Sequence, residues 1–350
     1  MFTINSETKI YVHAPAKYAT GGIELLHQLV DFLRKNGKHA YIVYHGNSDE
    51  RITLAYSKYN IEICKEENIC NQTCNIEVYP EVYFGYLYYN NRKTQKLFWW
   101  LSVDNFYNSN LNKLSLFDIF LFDKKEAWGM LKHRAKMLLK FHKNEFSNTT
   151  SLFFLQAKGI QFAYQCHYIK HSLNKHGIFR THPLMDYINT DYIKDFKTDR
   201  RDNIVLYNPS KGFAFTKQLI SIAPDINWVA LKGFTREQLI QLLQKSKLYI
   251  DFGNHPGKDR LPRECAMNGC CIITGKRGAA RYYEDVMIPS KYKFDESTVD
   301  KIVIIEKIRF VLNNYEKVID DFDLYRKKIK TEKAEFEKQI EILFNLRDNK

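Results

Sequence analysis

The hydrophobic residues near the start of the chain follow the pattern of a strand, a helix and a second strand. Short apolar runs at Ile10–Ala14 and His39–Tyr44 are typical of buried strands. Gly37, just before the second run, is a typical helix stop. Between the runs, apolar residues recur at helical spacing at Ile23, Leu26, Leu29, Val30 and Leu33. This pattern predicts a βαβ unit with a right-handed crossover and parallel pairing.

The same succession of strands and helices returns beyond Asn203. Its apolar runs are continuous, which is typical of parallel strands buried on both faces. Thr235 and Gln238 form a capping box that predicts the start of the second helix. The predicted strands are Ile204–Tyr207, Trp228–Leu231, Leu248–Phe252 and Cys271–Thr274. The predicted helices are Phe213–Ile222, Arg236–Lys247 and Arg263–Asn268.

The middle of the chain gives weaker patterns. Three apolar runs there predict strands at Gln95–Val103, Leu116–Phe122 and Ser151–Leu155, and a polar linker follows near 183–199. We therefore predict an α/β protein with two Rossmann-like domains, residues 1–183 and 184–330, and a C-terminal helix at 331–350. Two such sheets facing each other would place a ligand cleft between the carboxyl ends of their strands.

Composition narrows the class of protein. Of the 350 residues, 45% are hydrophobic and 27% are charged, which excludes a disordered chain, collagen and a small disulfide-stapled scaffold. No window approaches the ~20 apolar residues of a membrane span, and the first residues are polar where a signal peptide needs an apolar segment. Seven cysteines, an odd number, fit a reducing compartment. We expect a cytoplasmic protein.

The net charge of +13 indicates a polyanionic partner, either nucleic acid, anionic lipid or a phosphorylated small molecule. Residues 124–143 hold seven Lys and Arg against one acid, Glu126, with apolar residues between them. They predict a basic amphipathic helix. Such a helix either lies on an anionic membrane surface or presents a solvated face within a domain.

The segment from Asp251 to Ala280 carries the richest chemistry. A predicted strand ends at Asp251, and Lys258, Arg260 and Arg263 follow before the next helix. Cations at the carboxyl end of a parallel strand, beside a helix N-terminus, predict a phosphate site. Glu264 would either accept hydrogen bonds from ribose hydroxyls or stabilise the positive end of its own helix.

Two further strand-to-helix turns combine cations with small residues. One contains Lys211 and Gly212, and the other contains Gly278. Backbone N–H groups in such turns approach anions closely. Asp104, directly after the apolar run that begins at Gln95, would either orient a substrate or cap a turn. His167, His171 and His176 are predicted on a solvated helix face and not as metal ligands.

These motifs resemble those of the GT-B glycosyltransferases, within the retaining group whose donor domain carries a glutamate motif. Gly21-Gly22-Ile23-Glu24 resembles the family's opening "GG-x-E" loop, and Lys211-Gly212 resembles its "KG" turn. Glu264 with Ala266, Met267 and Gly269 resembles its "EAMA-x-G" helix, and Gly278 its later glycine loop. Two features depart from the family pattern. The family's arginine a few residues before the lysine is missing, since that stretch is Leu206-Tyr207-Asn208-Pro209 here. Pro256 stands where the first acid of the E-x7-E pair falls, so that His255, Lys258, Asp259 or Arg260 would have to replace it.

The resemblance implies a role for each matching residue. Lys211 would bind the donor phosphates, Glu264 the nucleotide ribose, and the glycines Gly21, Gly22, Gly212 and Gly278 would line the donor site. Lys211 and one of the cations Lys258, Arg260 and Arg263 would stabilise the departing diphosphate, so that neither a metal nor another cofactor is required. Asp104 would orient the acceptor.

We therefore expect a hexosyltransferase-like enzyme that moves a sugar, with retention, from a nucleotide-sugar donor to a glycan or lipid-linked acceptor. Surface polysaccharide or glycolipid synthesis would be its setting, with peripheral contact to the inner membrane face through 124–143. A nucleic-acid-binding protein and a non-catalytic sugar-nucleotide binder are the alternatives. Against the first, the sequence shows no helix-turn-helix, zinc-finger or RRM signature.

Overall fold

A computed structural model describes residues 2–16, 20–46, 56–111, 113–121, 128–132, 134–136 and 151–346. The chain forms two compact units. Unit 1 contains the described residues up to Met185 together with those from Phe336 onward, and unit 2 is Asp186–Glu335. Both units have the predicted Rossmann-like architecture, in which helices connect the strands of a parallel sheet.

Unit 1 is built on a six-stranded parallel sheet with the strand order β2-β1-β3-β4-β5-β6. Continuous burial along β1 and β4, including both tryptophans of β4, explains why these runs form central strands. The strands are β1 (Lys9–Pro15), β2 (His39–His45), β3 (Ile76–Pro80), β4 (Gln95–Trp100), β5 (Gln161–Tyr164) and β6 (Thr181–Pro183).

The first helix of unit 1 begins as the sequence predicts. Thr20 caps it by accepting a hydrogen bond from the N–H of Ile23, and the periodic apolar residues face the core. The helices are α1 (Gly21–Lys35), α2 (Phe84–Tyr89), α3 (Val103–Asn110), α4 (Leu116–Phe120), α5 (Leu152–Ala157) and α6 (His167–Lys175).

Two of the strands predicted for the middle of the chain are wrong. The apolar runs at 116–122 and 151–155 form the short helices α4 and α5 instead. Ser115 caps α4 by accepting a hydrogen bond from the N–H of Asp118, and Ser151 caps α5 in the same way from Phe153. These caps satisfy backbone donors at the helix starts and favour the helix over the strand.

The segment predicted as a basic amphipathic helix is only partly described. Residues 128–132 and 134–136 are helical, and the remainder of 124–143 lies outside the described residues. Arg134 is buried and donates a hydrogen bond to the carbonyl of Leu114 at 2.8 Å, so it does not belong to a solvent-facing basic surface. In the described part of the chain, no helix is both long and apolar enough to cross a bilayer.

Unit 2 is built on a five-stranded parallel sheet with the order β11-β10-β9-β7-β8. The predicted strands and helices are confirmed within two residues at each end, and the capping box at Thr235 and Gln238 is present. The strands are β7 (Asp202–Tyr207), β8 (Asn227–Ala230), β9 (Ser246–Asp251), β10 (Cys271–Gly275) and β11 (Lys293–Phe294). The helices are α7 (Phe213–Ile222), α8 (Arg236–Lys245), α9 (Leu261–Met267), α10 (Lys301–Asn313) and α11 (Tyr315–Val318).

The final helix, α12 (Asp323–Leu343), begins earlier than the helix predicted for 331–350 and belongs to both units. Its residues up to Glu335 pack in unit 2. From Phe336 onward it packs in unit 1, where Phe336 stacks on Trp99 with ring centroids 6.3 Å apart.

Candidate functional site

Three loops at the carboxyl ends of β7, β9 and β10 meet in unit 2, and glycines permit the contact. Gly212 has a φ of +63°, and a Cβ there would collide with the carbonyl of Phe252. Gly278 has a φ of +58°, and a Cβ there would collide with the carbonyl of His255. Ligands of open α/β sheets bind at this edge, outside the carboxyl ends of the strands.

A cluster of charged side chains lies where these loops meet. The Nζ of Lys211 donates a hydrogen bond to Oδ2 of Asp259 at 2.7 Å. His255 is fully buried between two carboxylates, with Nε2 3.5 Å from Oδ2 of Asp251 and Nδ1 3.9 Å from Oδ2 of Asp259. Asp251 also accepts hydrogen bonds from the N–H of Gly253 and the hydroxyl of Tyr249.

The cluster is electrostatically balanced. Burial opposes a charge on His255, but the carboxylates of Asp251 and Asp259 outweigh it and raise the pKa of the imidazole. Burial likewise opposes the charge of Asp251, whereas His255 and the hydrogen bonds to the carboxylate lower the pKa of that residue overall. The side chain of Lys211 is 36% exposed, so its ammonium can reach a ligand from solvent.

The same cluster offers ligand atoms for a metal ion. Asp251, His255 and Asp259 each present one such atom, and these atoms lie within 4.8 Å of one another. The ammonium of Lys211 is already hydrogen-bonded to Asp259, however, so a divalent cation bound there would compete with it. That the protein works without a metal therefore stays a prediction.

The other predicted cations of unit 2 form an internal network. Arg263 is fully buried and donates hydrogen bonds to Asp186 at 2.5 Å and to Glu332 at 2.8 Å. Lys258 is buried against Glu332 at 2.5 Å, and Arg260 pairs with Asp186 at 2.9 Å. This geometry favours a structural role for Lys258 and Arg263, which join α9 and its preceding loop to α12; their role as donor ligands stays a prediction.

Glu264 lies in the first turn of α9 and is half-buried. Its charge acts on Tyr192, whose pKa is raised to about 12, mainly by burial and then by Glu264. Its binding of a ribose stays a prediction.

The remaining candidates lie in unit 1. Gly21 and Gly22 begin α1, and a Cβ on Gly22 would lie 3.5 Å from Cδ1 of Leu101, at the end of β4. Asp104 lies in the first turn of α3, whose cap is Ser102. Within this unit, the glycine pair and Asp104 therefore share the region just beyond β4.

Sequence reasoning missed Glu81, which follows β3 in the same unit. Its buried carboxyl group accepts a hydrogen bond from the N–H of Leu101 at 2.9 Å, and burial raises its pKa to about 8. It also missed Asp186 and Glu332, which bind Arg263 from 77 and 69 positions away and leave no local signal.

The histidine prediction is wrong for His176. This residue is buried, with Nδ1 2.8 Å from the carbonyl of Ser172 and Nε2 2.8 Å from the hydroxyl of Tyr107. His171 is exposed, as predicted.

Two parallel-sheet Rossmann-like domains, each with polar residues beyond its strand ends, give this chain the GT-B fold, and its structural neighbours are GT-B glycosyltransferases. The chain matches no protein-family model and no curated protein sequence.

Three solved structures illustrate the likeness. Sucrose-phosphate synthase from Thermosynechococcus elongatus superposes with a TM-score of 0.60 at 10% identity, over 97% of this chain and 98% of that one. Anabaena HepE in complex with UDP-glucose gives 0.59 at 9% identity, over 97% and 100%. A mutant of S. aureus TarM in complex with Fondaparinux, alpha-GlcNAc-glycerol and UDP gives 0.52 at 14% identity, over 80% of this chain and 57% of that one, so this chain spans little more than half of TarM.

Proposed function

We propose that this protein is a glycosyltransferase that uses a nucleotide-sugar donor. The observation that carries the proposal is the position of Lys211, which lies beyond the carboxyl end of β7 and directly before α7. Its side chain is partly exposed, and its ammonium donates a hydrogen bond to Asp259. Solved GT-B structures hold nucleotides or nucleotide sugars, among them HepE with UDP-glucose and TarM with UDP.

In this proposal, Lys211 moves its hydrogen bond from Asp259 to the β-phosphate of the donor as the bond between C1 and the phosphate oxygen breaks. The electron pair of that bond remains on the phosphate, where the ammonium stabilises it. The acceptor oxygen forms the new bond to C1 and loses its proton to a phosphate oxygen. Attack on the face that the diphosphate leaves gives retention.

The other assignments follow from the resemblance of the motifs. Glu264 binds the ribose hydroxyls, Gly21 and Gly22 face the donor diphosphate, and Asp104 orients the acceptor. A hexose donor and a glycan or lipid-linked acceptor, in surface polysaccharide or glycolipid synthesis, complete the proposal.

A thermal-shift screen with UDP-, GDP-, ADP- and CMP-sugars tests donor use. A donor present at about 100 times its Kd stabilises the protein by about 2.7 kcal/mol. Donor hydrolysis or transfer is then measured with the sugar nucleotide that binds. Binding without turnover would favour a non-catalytic binder, and the absence of any shift or hydrolysis would contradict the proposal.

Lys211→Ala tests the mechanism. Because charge on the diphosphate is greatest in the transition state, kcat should fall by about 10²–10³ while the donor KM rises less. Lys211→Arg should restore activity only in part, since a planar guanidinium does not replace a compact ammonium. Lys217→Ala, on the exposed side of α7, is the matched control and should leave kcat unchanged. A change confined to KM would make Lys211 a ground-state ligand only.

Glu264→Ala tests the ribose assignment. It should weaken donor binding and leave the unfolding temperature nearly unchanged, since a glutamate in the first helical turn contributes only ~0.3–1 kcal/mol. If the variant keeps wild-type donor affinity, Glu264 does not bind the ribose and instead stabilises the start of its helix.

We also propose peripheral binding to anionic membranes through unit 1. Among the helical residues 128–132 and 134–136, Arg134 donates a hydrogen bond to the carbonyl of Leu114, just before α4. The hydroxyl of Ser151, at the start of α5, lies 3.4 Å from Oδ1 of Asp118 in α4. These adjoining elements expose large aromatic side chains beside two exposed lysines, Lys132 and Lys136. The aromatic residues are Phe117, Phe120, Trp128, Phe153 and Phe154. Aromatic and basic residues together suit a membrane interface.

Co-sedimentation with vesicles tests this binding. Phe117→Ser with Phe120→Ser should reduce binding to phosphatidylglycerol vesicles, because it removes exposed apolar surface. Lys132→Gln with Lys136→Gln, made separately, should also reduce it, since each basic residue near such a surface contributes ~1 kcal/mol. Lys175→Gln, an exposed lysine on α6, is the control. Equal sedimentation of wild type and both variants would contradict the proposal.

A further inference from the structure

Unit 1 contains a cavity of about 750 Å³ that lies apart from the glycine pair and Asp104. It is bounded by α2, the residues around Glu66 and Asn71, and the segment 90–92 that leads into β4. Its volume is in the range of small-molecule sites. Nothing in the proposed donor chemistry uses it.

Among the described residues, none that lines the cavity has an aliphatic side chain. Apart from Gly85, every lining residue is a tyrosine, an asparagine or a charged residue. Tyr86 and Tyr89 are 50% and 53% exposed, so their rings are available to a ligand. The apolar surface of the cavity therefore comes from tyrosine rings and not from the aliphatic side chains that surround a bound acyl chain.

The charges around the cavity balance. The guanidinium of Arg92 lies 3.1 Å from the carboxylate of Glu77 and 3.6 Å from that of Glu66. The ammonium of Lys113 lies over Gly85, so close that a Cβ on Gly85 would collide with it. Two cations and two carboxylates leave no net charge to attract an anion, but they supply both donors and acceptors of hydrogen bonds.

The wall behind the cavity is held by a buried network. Glu77 is fully buried and accepts hydrogen bonds from His13, Tyr79, Asn90 and Thr94. Burial opposes its charge, but these bonds outweigh it and lower the pKa of the carboxyl group. Because the carboxylate is fixed, it holds Arg92 and Asn90 in place before any ligand arrives, which reduces the ordering cost of binding.

We propose that this cavity binds a neutral saccharide. The C–H face of a pyranose ring stacks on a tyrosine ring, and its equatorial hydroxyls pair with amide, guanidinium and carboxylate groups. Tyr86 and Tyr89 supply rigid aromatic surface at low entropic cost, and Asn71, Asn91, Arg92 and Glu66 supply the polar partners. The proposal stands independently of donor use in unit 2.

Titration calorimetry of the full chain without nucleotide tests the proposal. The probes are maltotetraose, cellotetraose and chitotetraose, with tetragalacturonate and inorganic phosphate as anionic comparisons. At least one neutral tetrasaccharide should bind at millimolar or lower Kd. Tyr86→Ala and Tyr89→Ala should each weaken it by about tenfold, equivalent to ~1.4 kcal/mol. Tyr283→Ala removes a tyrosine of equal 50% exposure from unit 2 and should have no effect.

Gly85→Ala is a second variant that leaves both tyrosines intact. Its added Cβ displaces the ammonium of Lys113, which should weaken saccharide binding at an unchanged unfolding temperature. Three results would overturn the proposal: no neutral tetrasaccharide binds at millimolar concentration, binding is unaffected by all three cavity variants, or tetragalacturonate or phosphate binds better than every neutral probe.

Discussion

Glu81 shows how burial alone changes the chemistry of one residue. Its carboxyl group lies beneath α3, where Asn110 donates a hydrogen bond to the Glu81 carbonyl. Burial raises the pKa of the carboxyl group to about 8, although the N–H of Leu101 opposes this shift. The unfolded chain releases this proton near pH 4.5 and the folded chain only near pH 8. The stability of unit 1 should therefore decline as the pH rises through this window.

Glu81→Gln should remove that decline. The amide keeps the shape and can still accept the N–H of Leu101, but it carries no charge in either state. We expect the variant to be more stable than wild type at about pH 8–9, by ~1–3 kcal/mol, and close to wild type near pH 5. Thermal unfolding followed by circular dichroism at both pH values measures this. A stability difference that does not change with pH would contradict the expectation.

Arg263 presents the opposite case, a buried charge that is fully paired. Arg263→Met removes one of the two cations that pair with each of the buried carboxylates of Asp186 and Glu332, and breaking a buried pair typically costs ~3–5 kcal/mol. Urea unfolding of both proteins measures the difference. Arg309→Met, which breaks an exposed pair with Asp225, is the matched control and should change stability little. Equal effects of the two variants would show that Arg263 is not a structural residue.

At the scale of elements, the loops at the strand ends depend on glycine to different degrees. Gly212 and Gly233 both have positive φ, +63° and +82°. A Cβ on Gly233 would meet no atom within 4 Å, whereas a Cβ on Gly212 would collide with backbone atoms of Phe252 and Gly253. Of these two glycines, only Gly212 is also restricted by a neighbouring loop, in addition to its left-handed conformation.

Gly233→Ala should therefore cost ~1–2 kcal/mol, the penalty of positive φ alone. Gly212→Ala should cost more and should also move Lys211 away from Asp259, which would lower donor affinity in the thermal-shift screen. Urea unfolding and that screen, applied to both variants, separate the two effects. If the two alanine variants behave alike, the contact between the loops does not position Lys211.

The elements differ in how far the sequence predicts them. In unit 2, short apolar runs alternate regularly with periodic helical segments, turns and a capping box, and this context separates strands from helices; β9 and β10 are buried along most of their length, as continuous runs predict. In unit 1, the runs at α4 and α5 are too short for periodicity to separate helix from strand. There the serine caps decide the outcome, and residues such as Phe117 remain exposed in a helix where a strand would bury them.

The candidate site shows a similar division. Lys211 and Gly212 could be predicted because a strand-to-helix turn is a local signal. The difference between Lys211, which is partly exposed, and Lys258, which is buried against Glu332, could not be predicted. Each of these lysines lies in a loop that follows a strand and is next to a glycine, Gly212 or Gly257. What separates them is a carboxylate on α12, which is distant in sequence.

At the scale of the whole molecule, unit 1 is made from two separate stretches of chain. The second stretch is the end of α12. There Phe344 stacks on Phe2 with centroids 5.6 Å apart, and Gln339 accepts a hydrogen bond from the N–H of Met185 at 2.7 Å. The core of unit 1 is therefore complete only with residues that follow unit 2 in sequence.

Phe344→Ala should destabilise unit 1, because removing a fully buried phenylalanine typically costs ~3–5 kcal/mol. Ile342→Ala, at a position that is half-exposed on the same helix, should stay within about 0.5 kcal/mol of wild type. Peptide-resolved hydrogen exchange localises the effect. Faster exchange in β1 and β3 than in β7 and β9 is expected for Phe344→Ala, and faster exchange spread evenly over both units would argue against it.

The divided composition of unit 1 also has a consequence during synthesis. A ribosome delivers residues 186–335 after the sheet of unit 1 and before Phe336 and Phe344. At roughly 5–20 residues per second, this delay lasts about 8 to 30 seconds. During this delay, Phe336 has not yet been synthesised and does not cover the surface around Trp99. Part of the core of nascent unit 1 thus stays uncovered during this delay, and unit 2, whose chain is continuous, is the first of the two that can finish folding.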